Sequence, residues 1–266
     1  MIKLLAVDMD GTCLDSHSRM SEKNVNALKK AAEKGIIVVP TTGRNLNCIP
    51  HRLKSEGFYR YVITSNGACV IDKKSSKNIF SSFIPFNTAA ELLSSCRHQG
   101  FGITAQLEND YYLQGKLLSL VGRLYYGKDS ENSLCVKNLE EFIRNRGSDI
   151  EEIQLYFLNP KAKEKAEKIL SNYSGFSAAY SNIYVEIFNH NASKGIALSN
   201  LSDYLGIKKD EVACIGDGEN DLTMFSASGT KFAMGNAVDI LKEKSDYILP
   251  DNNHNGVAFA VENYIL

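Results

Sequence analysis

The sequence predicts an α/β protein: a doubly wound, Rossmann-like parallel sheet core with an α+β cap domain inserted into it. Three observations carry this. Short, unbroken apolar runs alternate with helical periodicity at both ends of the chain, as strands covered on two faces alternate with crossover helices. Acidic and small polar residues stand directly after those runs, in Asp8-Met9-Asp10-Gly11-Thr12 and Gly216-Asp217-Gly218-Glu219-Asn220-Asp221. Between the two ends, from about residue 83 to 188, the pattern changes to strands that alternate apolar and polar positions. The size agrees: 266 residues, at roughly 150 per domain, make about two domains.

The elements follow in order. Ile2-Lys3-Leu4-Leu5-Ala6-Val7, stopped by Asp8, reads as a buried strand. Ser21 stands as an N-cap ahead of Val25, Leu28, Ala31 and Ala32 at helical spacing, and Gly35 takes the C′ position. Ile36-Ile37-Val38-Val39 is a second strand, ending in Thr41-Thr42-Gly43-Arg44. Tyr61-Val62-Ile63-Thr64 is a third, ending in Ser65-Asn66-Gly67. Strand, helix, strand, helix, strand implies parallel pairing through right-handed crossovers. At the far end Ser193 caps a helix carrying Ile196, Leu198, Leu201 and Leu205, and Gly206 closes it. Val212-Ala213-Cys214-Ile215 is the next strand, followed by a helix around 222–225, short strands near 231–233 and 247–249, and a last helix over about 256–264. The middle shows helices near 87–99, 139–145 and 161–171, and strands at 101–106, 110–114, 151–158 and 183–188. There Ile153, Leu155 and Phe157 alternate with polar positions, as in a sheet with one exposed face. The expected division is core residues 1–81 and 190–266, with 82–189 inserted as the cap.

Composition excludes several classes. Lys and Arg number 30 against 31 Asp and Glu, for a net charge of −1. Such a balance offers no general field for nucleic acid or an anionic membrane. Hydrophobic residues at 44% and charged residues at 23% are ordinary globular usage. No apolar run approaches the ~20 residues of a spanning helix, and the run before Asp8 is too short for a signal-peptide core. Cys13, Cys48, Cys69, Cys96, Cys135 and Cys214 form no CxxC pair. Scattered single cysteines fit reduced thiols and a cytoplasmic protein, which makes the sequons at Asn172 and Asn191 coincidental.

Chemistry concentrates where the acids sit. Ligands of open parallel sheets bind beyond the carboxyl ends of the strands, and Asp8, Asp10, Asp217 and Asp221 would bring several negative charges there. A like-charge pair ~4 Å apart costs about 4 kcal/mol at an effective dielectric near 20, so the site calls for a cation. Hard oxygen ligands in this number suit Mg2+. Lys194, at a helix start, adds a fixed positive charge beside an N-terminus that favours phosphate. An Asp carboxylate can accept a phosphoryl group as nucleophile. A second can protonate the leaving oxygen and then deprotonate water. Gly11 leaves room for close backbone approach, while Thr42 and Lys194 suit phosphate oxygens.

These residues resemble the haloacid dehalogenase-like hydrolase superfamily. Its four motifs are matched in order by Asp8-x-Asp10-Gly11-Thr12, by Thr42, by Lys194 and by Gly216-Asp217-x-x-Asn220-Asp221. An insert between the second and third motifs marks a type IIB cap, so the chain resembles the Cof-type phosphatases. Ser65-Asn66-Gly67-Ala68 and Lys194-Gly195 resemble that subgroup too. The resemblance implies a Mg2+-dependent phosphatase acting on a small-molecule phosphate ester: a sugar phosphate, nucleotide or cofactor phosphate. It makes Asp8 the nucleophile and a metal ligand. Asp10 is then the acid/base and a metal ligand through its carbonyl, and Asp217 the third ligand. Asp221 orients the metal shell or Lys194. Gly11, Thr42, Gly43, Lys194 and Asn220 contact phosphate or substrate. Thr42 is preferred to Thr41 because it directly precedes Gly43-Arg44. A phosphomutase or phosphotransferase of the same superfamily is the alternative.

Other readings of the same residues fare worse. A calcium loop needs an acid at its twelfth position; counting from Asp8 gives Arg19, and from Asp217 gives Ser228. Gly216-x-Gly218 has Asp221 where a dinucleotide loop has its third glycine. Gly122 to Lys128 matches most of a phosphate-binding P-loop, but Asp129 stands where the metal-binding hydroxyl belongs. The five histidines lack ligand-like spacing, and KAKEKAEK at 161–168 reads as a solvated helix face. Tyr111-Tyr112 and Tyr125-Tyr126 read as core of the inserted module.

Overall fold

The computed structural model describes residues 1–116 and 133–266. Its strands in chain order are β1 (Leu4–Asp8), β2 (Ile37–Thr41), β3 (Tyr61–Thr64), β4 (Cys69–Asp72), β5 (Lys77–Ser81), β6 (Phe101–Leu107) and β7 (Asp110–Gln114). They continue with β8 (Ser133–Val136), β9 (Glu152–Phe157), β10 (Phe176–Tyr180), β11 (Tyr184–Asn189), β12 (Val212–Gly216), β13 (Thr230–Ala233) and β14 (Tyr247–Ile248). The chain divides into two units: Met1–Gly43, Pro50–Ser81 and Ser193–Leu266 form the first, Arg44–Ile49 and Ser82–Ala192 the second. Two short segments therefore fall on the other side of the expected 1–81, 82–189 and 190–266. Arg44–Ile49 joins the second unit, where Asn47 Nδ2 donates to Asp110 Oδ1 at 2.7 Å. Residues 190–192 stay with it because His190 N donates to Gly175 O at 3.1 Å and Ala192 N to Asn189 O at 2.7 Å.

In the first unit the strand order is β14-β13-β12-β1-β2-β3-β4-β5. The six strands from β14 to β3 are parallel. β1 and β12 are buried along their whole length, as their continuous apolar runs require. From β1 the chain steps to β2 on one side, while β12 pairs with β1 on the other. The β1/β12 boundary is thus the switch point where such sheets open a crevice. Registration of Val7 with Ile215 and of Asp8 with Thr41 brings the carboxyl ends of β12, β1 and β2 level. The capping serines act as the sequence predicts: Ser21 Oγ accepts from Asn24 N at 3.1 Å, and Ser193 Oγ from Ile196 N at 3.1 Å. β4 and β5 extend the sheet antiparallel and have no counterpart in the sequence reading. The positive φ angles at Ser65 and Asn66 reverse the chain within four residues of β3, so β4 runs back beside it.

In the second unit a six-stranded sheet has the order β10-β11-β9-β6-β7-β8, antiparallel except for β7 with β8. One face is apolar. Ile103 and Leu107 of β6, Ile153 and Leu155 of β9, and Val185 and Ile187 of β11 form a core with Leu92, Ile143 and Ala166 of the helices Phe86–Ser95, Leu139–Arg146 and Ala162–Leu170. Tyr112 belongs to that core and lies against Phe142, with ring centroids 4.7 Å apart. The other face is polar, as the alternation predicts, and Gln154, Tyr156 and Glu186 on it are half-buried. Thr104, Gln106 and Glu152 are buried there. The Glu152 carboxylate accepts from Gln106 Nε2 at 3.0 Å and Gln154 Nε2 at 2.7 Å, and the Tyr111 hydroxyl donates to Gln154 Oε1 at 2.7 Å. Amide donors of this kind let a carboxylate remain buried. The lysines of 161–168 are exposed while Ala162 and Ala166 are buried, so that run is a solvated helix face. The P-loop-like stretch and Tyr125-Tyr126 lie outside the described residues. Among the described residues no helix is long and apolar enough to cross a membrane.

Ile153, fully buried in the second core, is expected to cost about 2–5 kcal/mol when replaced by alanine. Ile183, exposed between β10 and β11, should change stability by less than about 0.5 kcal/mol on the same substitution. Urea unfolding of both variants measures the contrast, and equal losses would contradict this core assignment.

Candidate active site

All nine residues that the sequence singles out as site residues lie in the first unit. Asp8 closes β1 and is buried. After it the chain turns sharply: Gly11 has φ +81°, and a Cβ there would collide with the Asp217 carboxylate. Only glycine combines that backbone angle with that proximity. Leu14 N donates to Met9 O at 2.9 Å and closes the turn. Asp217 follows β12, the neighbour of β1, and its Oδ1 accepts from Thr12 Oγ1 at 2.6 Å. The first and fourth motifs meet because their strands pair.

Lys194 is 2% exposed, yet its ammonium is paired. Nζ donates to Asp8 Oδ1 at 2.6 Å and to Asp221 Oδ1 at 2.7 Å. Asp221 is buried as well, and its second oxygen accepts from Asp217 N at 2.9 Å and Gly218 N at 3.0 Å. Asp221 therefore holds both the lysine and the backbone that carries Asp217.

Charge in this cluster is unbalanced. Oxygens of Asp8, Asp217 and Asp221 lie within 4.8 Å of one another, and three carboxylates face one ammonium. Burial, and then the charge of Asp221, push the Asp8 carboxyl well above its ordinary range in spite of Lys194. Burial also raises the Asp217 carboxyl, with Asp221 adding to it against the Thr12 hydrogen bond. Burial alone would pull the Lys194 ammonium down, but Asp221 and Asp8 outweigh it and hold the group above the ordinary lysine range. Burial lifts the neighbouring Cys13 thiol to about 12, which leaves it protonated. A buried set of hard oxygen donors with two negative charges in excess fits a divalent cation such as Mg2+. Asp10 is exposed, and its carboxyl is not among the three clustered ones.

Thr42 lies just past β2, buried, with its N donating to Ile63 O at 3.0 Å. The hydroxyl of Thr41 instead donates back to Val39 O within its own strand at 3.2 Å. Gly43 lies against Asn66: a Cβ on Gly43 would stand 3.1 Å from the Asn66 amide. Asn220 Nδ2 donates to Asn66 Oδ1 at 3.1 Å. Arg44 falls in the second unit, where its guanidinium donates to Cys48 O at 3.4 Å.

One further residue of this neighbourhood is Asn236, which sequence reasoning missed. Its Nδ2 donates to Gly11 O at 2.8 Å and lies 3.5 Å from Asp217 Oδ2, while its Oδ1 accepts from Asn252 N at 3.0 Å. A signal existed. Asn236 follows β13 as Asp8 ends β1 and Asp217 follows β12, at the same level of a parallel sheet.

A family model described as haloacid dehalogenase-like hydrolase matches residues 5–261. The chain is 31% identical to a 5-amino-6-(5-phospho-D-ribitylamino)uracil phosphatase of Bacillus subtilis, YcsE, over 100% of this chain and 96% of that protein. It is 27% identical to a second Bacillus subtilis phosphatase of that name, YwtE, over 98% of this chain and 97% of that protein. The structure of a haloacid dehalogenase-like hydrolase from Bacteroides thetaiotaomicron superposes with a TM-score of 0.88 at 24% identity, covering 98% of this chain and 99% of that one. That last likeness concerns the fold.

The charge excess has a measurable consequence in metal-free protein. A carboxyl whose pKa is raised on folding leaves the native state binding more protons than the unfolded one, so stability falls as pH rises from near the ordinary 3.8 through the raised value. Asp8→Asn in EDTA should therefore raise the melting temperature at pH 7, by an increment that shrinks on acidification. Lys194→Met should lower stability by about 3–5 kcal/mol, because it leaves buried carboxylates without their partner. A destabilised Asp8→Asn protein at pH 7 would contradict this electrostatic reading.

Proposed function

The chain belongs to the haloacid dehalogenase-like hydrolase family, and we propose that it is a Mg2+-dependent phosphatase of small phosphorylated metabolites working through an aspartyl-phosphate on Asp8. The observation that carries this is the arrangement around Lys194. One buried ammonium joins Asp8 at the end of β1 to Asp221 after β12, beside Asp217, at the switch point of the sheet.

Asp8, Asp217 and the Asp10 carbonyl are the residues that would hold the cation. Mg2+, when bound, supplies the positive charge that offsets the carboxylates and the phosphoryl oxygens. Asp8 attacks the phosphorus with one carboxylate oxygen, and the bond from phosphorus to the leaving oxygen breaks. Asp10 gives its proton to that oxygen. The resulting Asp10 carboxylate then takes a proton from the water that attacks the acyl phosphate, releasing inorganic phosphate and Asp8. An exposed side chain suits this double role, since Asp10 must meet the leaving group first and water second. Lys194, the Thr42 hydroxyl, the Gly43 N–H and Asn220 hold phosphoryl oxygens, mainly by preorganised electrostatics. Gly11 lets the backbone approach closely at the same place. Asp221 does not react; it keeps Lys194 charged and aimed.

These groups recognise phosphate and metal rather than the leaving group. Sugar phosphates, nucleotides and cofactor phosphates are the proposed substrate class. The named activity of the two Bacillus subtilis relatives makes 5-amino-6-(5-phospho-D-ribitylamino)uracil the first compound to assay.

Purified protein should hydrolyse p-nitrophenyl phosphate with Mg2+, lose that activity in EDTA, and regain it on Mg2+ addition. Asp8→Asn should be inactive, and Asp10→Asn should lower kcat by about 10²–10⁴-fold. Undiminished turnover by Asp8→Asn, or activity indifferent to metal, would overturn the proposal. A sugar phosphate that isomerises faster than it releases phosphate would redirect it to a phosphotransferase.

A further inference from the structure

We infer that Asn66 is a positioning residue: its side chain ties the Thr42-Gly43 loop to Asn220 and thereby sets the affinity of the site for phosphate. The inference deepens the phosphatase reading and rests on it for the roles of Thr42, Gly43 and Asn220.

Ser65, Asn66 and Gly67 are three consecutive residues with positive φ, at +49°, +53° and +94°. Residues with a side chain avoid that region, although asparagine is tolerated there singly. A run that includes two of them persists only when its surroundings hold it. Here the restraints are visible. Asn66 N donates to Thr42 O at 3.1 Å, and Ala68 N to Ser65 O at 2.9 Å. Gly67 presses against the Ser193 carbonyl, where a Cβ would have no room. The turn is wedged between the loop after β2 and the start of the Lys194 helix.

What the turn presents is one amide. Asn66 is 5% exposed. Its Oδ1 accepts from Asn220 Nδ2 at 3.1 Å, and its amide lies against Gly43. A single side chain thus touches two loops that leave different strands, β2 and β12. The reversal into β4 does not need that amide, because glycine reaches positive φ at no steric cost. The amide acts on what it touches: the height of Gly43 and the direction of the Asn220 side chain. In this reading both neighbours meet the phosphoryl group before and during the reaction. Loosening them therefore removes binding common to ground and transition states, which raises KM and spares kcat.

The test compares full-length Asn66→Gly and Asn66→Asp with wild type by thermal melting, by steady-state kinetics on p-nitrophenyl phosphate, and by competition and calorimetry with inorganic phosphate. Asn66→Gly should melt close to wild type. Its KM and its inhibition constant for inorganic phosphate should rise together by about tenfold, the loss of roughly one hydrogen bond's worth of alignment, with kcat within about threefold. Asn66→Asp keeps an acceptor for Asn220 but adds negative charge beside the anion, so phosphate should weaken further. An Asn66→Gly protein with wild-type KM and phosphate affinity, or one whose kcat falls instead of its KM rising, would overturn the inference. If that variant does not fold, wild-type phosphate affinity in Asn66→Asp would do the same. A wild type inert toward p-nitrophenyl phosphate would refute the phosphatase reading alone, and phosphate calorimetry on the same proteins would then decide the role of Asn66.

Discussion

A lysine ammonium buried between two carboxylates is the constraint on which the rest of this site depends. Lys194 reaches Asp8 and Asp221 within 2.7 Å while almost wholly excluded from water. Such an arrangement is stable only when every charge has a partner and every remaining oxygen a donor. For the second, the backbone N–H groups of Asp217 and Gly218 serve Asp221 and the hydroxyl of Thr12 serves Asp217. The first condition is met incompletely, because three carboxylates share one ammonium. Burial, with the charge of Asp221 adding to it, raises the Asp8 and Asp217 carboxyls, and the shortfall gives a divalent cation a reason to bind.

Sheet register is what makes the constraint possible. Parallel strands end together, and pairing Asp8 with Thr41 and Val7 with Ile215 sets the three loops that follow them at one height. Asp8, the Thr42-Gly43 loop and the Asp217–Asp221 loop then need only short reaches to meet. The third motif arrives differently. A helix capped by Ser193 brings Lys194 in at its first turn, where a lysine would ordinarily lie in solvent. Close packing of Gly67 against the Ser193 carbonyl brings that helix start against the turn after β3.

Much of this was legible in the sequence because its signals are local. An apolar run followed at once by Asp identifies both the strand and the chemistry at its end, as at Val7-Asp8 and Gly216-Asp217. Serine caps and closing glycines bound the helices at Ser21, Gly35, Ser193 and Gly206. What escaped depends on contacts distant in the chain. β5 is largely exposed and carries no apolar run, and the direction of β4 follows from the left-handed turn at Ser65 and Asn66, which no apolar period encodes. The segment Arg44–Ile49 joins the second unit through Asn47 and Asp110, a pair 63 positions apart. Asn236 comes to the site because its strand neighbours β12. The polar face around Glu152 reads from sequence as exposed, since alternation reveals that a face is polar but not that its side chains hydrogen-bond one another.

The Asp8–Asp217–Asp221 cluster carries a charge excess that a divalent cation would offset. Thermal melting against Mg2+ concentration tests it most directly. A cation bound by the native state alone adds about 2.7 kcal/mol at a hundred times its dissociation constant. The melting temperature of the wild type should therefore climb with the logarithm of Mg2+ concentration once that exceeds the dissociation constant, and Asp217→Asn should flatten the climb. A wild-type melting temperature unmoved by millimolar Mg2+ would contradict the claim.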